Sequence, residues 1–255
     1  MSEFPPNGGG RVLVFQHLPE EDPGELGRLL VEAGLSLTVV ELDHGEPIPD
    51  LEAFDLLLVM GGPMDVWEED EHPWLISEKA AIRRWVTELG RPYLGVCLGH
   101  QLLAVALGGS VAAMEAAEIG VPDIALTPHG RADPVFSQLP VILPGLQWHH
   151  VEVTELPPDA VTLASNPTCA VQALRVGPWA WGVQFHLEVD AATIPEWARV
   201  PEYEEVLAHY GGGDADWLHA AVTRHLATMQ AASRQLIGGI VSLLRASSPD
   251  LEASA

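Results

Sequence analysis

Only two cysteines occur in 255 residues, so there is no disulfide framework, and a reducing cytoplasm is the expected compartment. Basic side chains are scarce as well. Twelve lysines and arginines stand against 36 aspartates and glutamates, a formal charge of −24 at pH 7. A field of that sign repels nucleic acid backbones and anionic lipid surfaces, and no local basic patch offsets it. Solubility, or a salty or acidic habitat, accounts for the acidity. No stretch approaches the roughly 18 apolar residues of a membrane span, and the opening MSEFPPNGGG has neither the basic start nor the apolar core of a secretory signal. The expectation is a soluble intracellular protein that binds neither nucleic acid nor membrane. What the chain does have is 47% hydrophobic and 19% charged residues, in a length that suits one large folded domain.

Apolar runs at Val12–Phe15, Leu35–Leu42, Asp55–Met60 and Tyr93–Val96 end at polar or glycine stops, as buried parallel strands do. Helical spacing marks Gly24–Ala33, Trp74–Leu89 and Gln101–Leu107 between and after them. The second half reads as strand-rich, with short strands at Ala125–Leu126, Val151–Val153, Val161–Ala164, Val171–Val176 and Ala180–Phe185. From about Pro195 the pattern turns helical, with Asp214 as a plausible N-cap of a long last helix. The expected fold class is α/β: a doubly wound, mostly parallel sheet flanked by helices, flavodoxin-like, with a helical C-terminal extension. Residues 1–10 read as a flexible lead-in, 11–189 as the main domain, 190–246 as the extension and 247–255 as a frayed tail.

The stretch Gly95-Val96-Cys97-Leu98-Gly99 joins a buried strand to a helix, which is a nucleophile elbow with sulfur in place of oxygen. Glycines on both sides relieve the crowding of the sharp turn. A helix N-terminus at this point favours a thiolate, and it aims the Leu98 N–H at an oxyanion forming beside the sulfur. A thiol nucleophile needs a proton carrier. His186, at the exposed end of an apolar strand, is the candidate, with Glu188 two residues on to orient the imidazole. Cys169 sits in a turn with no activating neighbour and reads as inert. The adjacent His149 and His150 point to opposite faces of a strand without a third ligand, so no metal is assigned, and no cofactor is expected.

Taken in order, Met60-Gly61-Gly62-Pro63, Gly95 to Gln101, Gln147-Trp148-His149, Gln172 and Trp181 to Glu188 resemble the class I glutamine amidotransferases, in particular the stand-alone kind related to the glutaminase domain of GMP synthase. The resemblance spans about residues 11 to 189. It implies that Cys97 attacks the side-chain amide of glutamine, that His186 protonates the departing ammonia and that Glu188 holds His186. A γ-glutamyl thioester is then left for water to hydrolyse. It also implies an oxyanion hole from Gly61, Gly62 and Leu98, and substrate contacts from Gln101, His149 and Gln172.

Two positions depart from the family pattern. His186-Leu187-Glu188 stands where relatives often read His-Pro-Glu, and Trp148-His149-His150-Val151 where they often read Trp-His-Gly-Asp. With no Gly-x-x-x-x-Gly-Lys loop and no second synthase-sized domain, any acceptor chemistry belongs to another protein. The leading expectation is therefore glutamine hydrolysis with ammonia passed to a synthase partner, the partner ordering the Gly61 loop. A self-sufficient γ-glutamyl peptide hydrolase is the alternative. Two further readings are a different cysteine hydrolase or chaperone-like thiol protein, disfavoured by His186, Glu188 and Gly61-Gly62, and a non-enzymatic regulatory or binding subunit, disfavoured by an intact Cys97, His186 and Glu188.

Overall fold

A computed structural model describes residues 9–210 and 215–246. The first half contains β1 (Arg11–Gln16), α1 (Gly24–Glu32), β2 (Ser36–Glu41), β3 (Leu56–Val59), α2 (Trp74–Arg84), β4 (Tyr93–Val96) and α3 (Leu98–Ala106). Next come β5 (Ser110–Gly120), β6 (Asp123–Leu126), α4 (Pro128–Ala132), β7 (Ile142–Pro144), β8 (Gln147–Glu155), β9 (Ala160–Ser165), β10 (Ala173–Val176) and β11 (Ala180–Val183). The chain then runs through α5 (Thr193–Trp197), α6 (Pro201–Tyr210) and α7 (Asp216–Ala246).

Nine strands form one sheet in the order β2-β1-β3-β4-β11-β10-β9-β6-β7. Pairings from β2 to β11 are parallel, and those from β11 to β7 are antiparallel. The two-residue period of the strands explains the layers. Val12 and Val14, Leu56 and Leu58, and Leu94 and Val96 belong to one core, whereas Leu13 and Phe15, Leu57 and Val59, and Tyr93 belong to the other. Because both faces of these strands are covered, their sequences are continuous apolar runs rather than alternating ones. Leu26 and Leu30 of α1 and Leu236 and Ile240 of α7 close the first core; Leu75 and Ile82 of α2 and Leu102 and Leu103 of α3 close the second.

The helical extension is not an appendage. Trp197, Tyr203, Leu218 and Leu244 are buried in the same core as β1, and the Ser233 hydroxyl of α7 donates to the Leu187 carbonyl at 2.6 Å. Several boundaries differ from the sequence expectation. β5 pairs with β8 as a separate antiparallel ribbon that the expectation lacked, because SVAAMEAAEIG is built of good helix formers and becomes a strand only through its partner. β8 extends well beyond Val151–Val153, β7 was not anticipated, and β10 starts at Ala173 rather than Val171. α3 begins at Leu98, directly after the elbow, and α2 continues through a π-helical turn, Trp85–Leu89. The expected cap Asp214 and the tail 247–255 lie outside the described residues. Among those described, no helix is long and apolar enough to cross a membrane.

Candidate active site

The site collects at the carboxyl ends of the parallel strands, where β1, β3, β4 and β11 end side by side. Val96 pairs with Val183, and the Cys97 N–H donates to the Val183 carbonyl at 2.8 Å. The strand register thus brings the cysteine elbow beside the segment that carries His186 and Glu188. Cys97 has φ 50° and ψ −104°, a left-handed backbone conformation that a residue with a Cβ adopts only when its surroundings force it. The surroundings here are two close approaches. A Cβ on Gly99 would lie 2.3 Å from the Val59 carbonyl oxygen, and one on Gly95 would lie 2.4 Å from the Gly99 carbonyl oxygen.

His186 Nδ1 donates to Glu188 Oε1 at 2.5 Å, and the Leu187 N–H donates to Glu188 Oε2 at 2.9 Å. The second bond gives the Leu187 departure a physical meaning: a proline at that position has no N–H to offer the carboxylate. Burial lowers the His186 pKa, but the charges of Glu188 and of the Cys97 sulfur, with a hydrogen bond from each, outweigh it and hold the imidazole well above its ordinary value. The expectation that His186 lies at an exposed strand end is corrected by its 1% exposure. Trp197 packs edge-on against its ring with centroids 4.8 Å apart, so the extension walls the site.

A cavity of about 520 Å³ opens on Cys97, with Gly62, Gln101 and His149 among its walls and Glu202 and Tyr203 of α6 closing one side. Gln101 Nε2 donates to the Val151 carbonyl and to Gln184 Oε1, and Gln184 Nε2 in turn donates to Cys97 Sγ at 3.5 Å. Gln184 was missed as a site residue, although it stands within the Trp181–Glu188 motif. Gln172 is not brought to the cavity: it is fully buried, accepting from Gln147 Nε2 and donating to Glu118 Oε2. His149 places both ring nitrogens on acceptors, Glu118 Oε2 and the Val151 carbonyl, and His150 turns to Asp65 Oδ1 at 3.2 Å. Cys169 is buried away from this cavity with its thiol pushed up to about 12, chiefly by burial.

Three further residues of the site had no sequence signal beyond lying near the ends of β1 and α2. His17 Nδ1 lies 2.7 Å from the Gly61 carbonyl oxygen, and its Nε2 lies 2.9 Å from Glu78 Oε1. Glu21 is 2% exposed and neither carboxyl oxygen has a hydrogen-bond partner. Its Oε2 lies 1.9 Å from where a Cβ on Gly61 would stand, so a side chain at Gly61 would have to displace the Glu21 carboxyl. Burial, opposed by His186 and His17 and reinforced by Glu188, pushes the Glu21 carboxyl from 4.5 up to about 7. The folded chain therefore holds a proton that the unfolded chain gives up. Stability from this group is full below pH 4.5 and is lost as pH rises toward and through 7, by about 3 kcal/mol in all. In urea denaturation at pH 5 and pH 8, Glu21→Gln is expected to abolish that loss; an unchanged pH difference contradicts the assignment.

A model of the class I glutamine amidotransferases matches residues 25–196, and the chain belongs to that family. Among curated proteins it is similar to the glutamine amidotransferase-like protein YfeJ of Salmonella typhimurium, 31% identical over 188 residues, covering 72% of this chain and 78% of that protein. It is also similar to a glutamine-hydrolyzing GMP synthase subunit of Saccharolobus solfataricus, 36% identical over 145 residues, covering 56% and 72%. Among solved structures, a glutamine amidotransferase from Thermotoga maritima superposes with a TM-score of 0.81 at 29% identity, covering 91% of this chain and 98% of that one. The coverage of this chain includes much of the extension beyond Asp190, which accordingly belongs to the fold.

Proposed function

We propose that this protein hydrolyses the side-chain amide of glutamine, or of a related γ-glutamyl compound, through a thioester on Cys97. The observation that carries this reading is the strained Cys97 elbow, which lines one cavity, beside the buried His186–Glu188 pair. The Cys97 sulfur attacks the δ-carbonyl carbon, and the resulting oxyanion is met by the N–H groups of Leu98 and Gly62. Neither donor has an acceptor among the described residues, as an oxyanion hole requires. His186 gives its proton to the departing nitrogen, ammonia leaves, and the γ-glutamyl thioester remains. His186 then takes a proton from water as the water attacks, releasing glutamate and restoring the thiol. Glu188, fixed from two sides, keeps the imidazole in the orientation both steps need.

Glu202 and Glu205 line the cavity with no lysine or arginine among its described lining residues, which favours a donor carrying an ammonium group, as glutamine does at its α-carbon. The similarity to the glutamine-hydrolyzing GMP synthase subunit supports transfer of the ammonia to a separate acceptor enzyme. A second reading, a self-sufficient γ-glutamyl peptide hydrolase, draws on the closure of the cavity by the chain's own α6. Full-length protein assayed alone on glutamine and on γ-glutamyl peptides, with ammonia and glutamate read separately, tests the proposal. Equal release of both from glutamine at about 1 s⁻¹ or more is the expected result. Glutamate from peptides with glutamine inert selects the second reading, and release of neither product from any substrate overturns both.

A further inference from the structure

We propose that His17, anchored by Glu78, holds the Gly61–Gly62 peptide with its N–H turned toward Cys97, so that the oxyanion hole stands assembled in the isolated chain. The inference rests on the reading of the site as an amide hydrolase. His17 follows β1 directly and is completely buried, as is Glu78 on α2. The imidazole is held in place by stacking on Trp74, with centroids 5.3 Å apart and planes 13° from parallel. Its two nitrogens face a carbonyl oxygen and a carboxylate, both of which only accept, so the ring donates from both sides. A protonated ring satisfies both partners at once. Burial opposes the charge, and Glu78, the Gly61 carbonyl and Glu21 together outweigh burial and raise the group above its ordinary value.

The consequence for Gly62 follows from peptide planarity. In a trans peptide the C=O and the next N–H point in opposite directions, so a Gly61 carbonyl bound to His17 sends the Gly62 N–H away from His17. Gly62 sits between the clamp and the elbow. A Cβ there would lie 3.1 Å from both His17 Cβ and Leu98 Cδ2. Gly62 also lines the cavity with Cys97, so the N–H turned away from His17 has that cavity to face. A Gly-Gly peptide left to itself turns over easily. Here a buried charged donor removes that freedom. A buried ion pair is weak evidence for stability, because desolvation consumes most of its attraction, and this one leaves Glu78 Oε2 without a partner. Its contact with Gly61 supplies the role that stability does not.

Two polar variants separate the clamp from a merely structural pair. The amide of His17→Asn reaches about as far as Nδ1 and keeps a donor for Gly61, but loses Glu78. The amide of His17→Gln reaches about as far as Nε2 and keeps Glu78, but loses Gly61. For glutamine turnover by the full chain, His17→Gln is expected to lower kcat by about 10²–10³-fold, the effect of one lost oxyanion donor, with KM within about threefold of wild type. His17→Asn should retain kcat within about tenfold. Iodoacetamide alkylation of Cys97 forms no oxyanion and should keep its rate in both. The reverse order of kcat, or alkylation falling in step with kcat, overturns the proposal. If the glutamine variant does not fold, His17→Phe replaces it with the same expected loss. If the wild type itself releases no product, the amide-hydrolase reading fails, while crystal structures still decide the clamp: an unturned Gly61 carbonyl in His17→Gln or His17→Phe overturns it.

Discussion

Cys97→Ala is expected to lower glutamine turnover by about 10⁶-fold, to the level of loss seen when a hydrolase loses its nucleophile outright. The other cysteine, Cys169, is buried away from the cavity with its thiol pushed up to about 12, and the Cys97 sulfur is contacted by His186, the proton carrier, and by the Gln184 amide. The fold should survive, because alanine fills less of the same space and carries the same backbone strain at φ 50°. Cys97→Gly should even raise the denaturation midpoint, since glycine adopts that conformation without penalty. Residual turnover within about 10²-fold of wild type would assign the chemistry to another group.

Gly99→Ala is expected to destabilise the fold by about 3 kcal/mol or more. The new Cβ would stand 2.3 Å from the Val59 carbonyl oxygen and 3.0 Å from Val59 Cβ, at the carboxyl end of β3. Backbone of a central strand cannot yield as a side-chain tip can, so either α3 lifts from β3 or the elbow unwinds. The urea midpoint measures this directly. A shift smaller than that of an ordinary surface substitution, about 0.5 kcal/mol, would mean that the elbow is looser than its geometry states.

Much of the candidate site was legible because its residues stand close together in short sequence segments. A strand, two glycines and a cysteine in five residues define an elbow in any order of domains, and His186 with Glu188 ends a strand that the alternating pattern already places in the same sheet. The parallel half of the sheet was legible for a related reason, since strands buried on both faces become uninterrupted apolar runs. What escaped depends on contacts between distant segments. β5 has the composition of a helix and owes its extended form to β8. His17 and Glu78 carry no motif and acquire their role only because β1, β3 and α2 converge on the Gly61 carbonyl. Gln172 resembled a substrate contact by position, yet the buried Glu118 takes its amide. The extension beyond Asp190 read only as a helical addition outside the resemblance, whereas Trp197 packs on His186 and Ser233 holds the Leu187 carbonyl.

Labelling with a glutamine-mimicking electrophile, followed by peptide mapping in the mass spectrometer, tests the central claim most directly. The reagent needs the γ-glutamyl pocket to bind and the activated sulfur to react, so it reads recognition and nucleophilicity together. The account predicts one adduct per chain, on Cys97, slowed by added glutamine and lost in His186→Ala, with Cys169 unmodified. An adduct on Cys169 with Cys97 untouched, or labelling of Cys97 indifferent to glutamine and to His186, would contradict it.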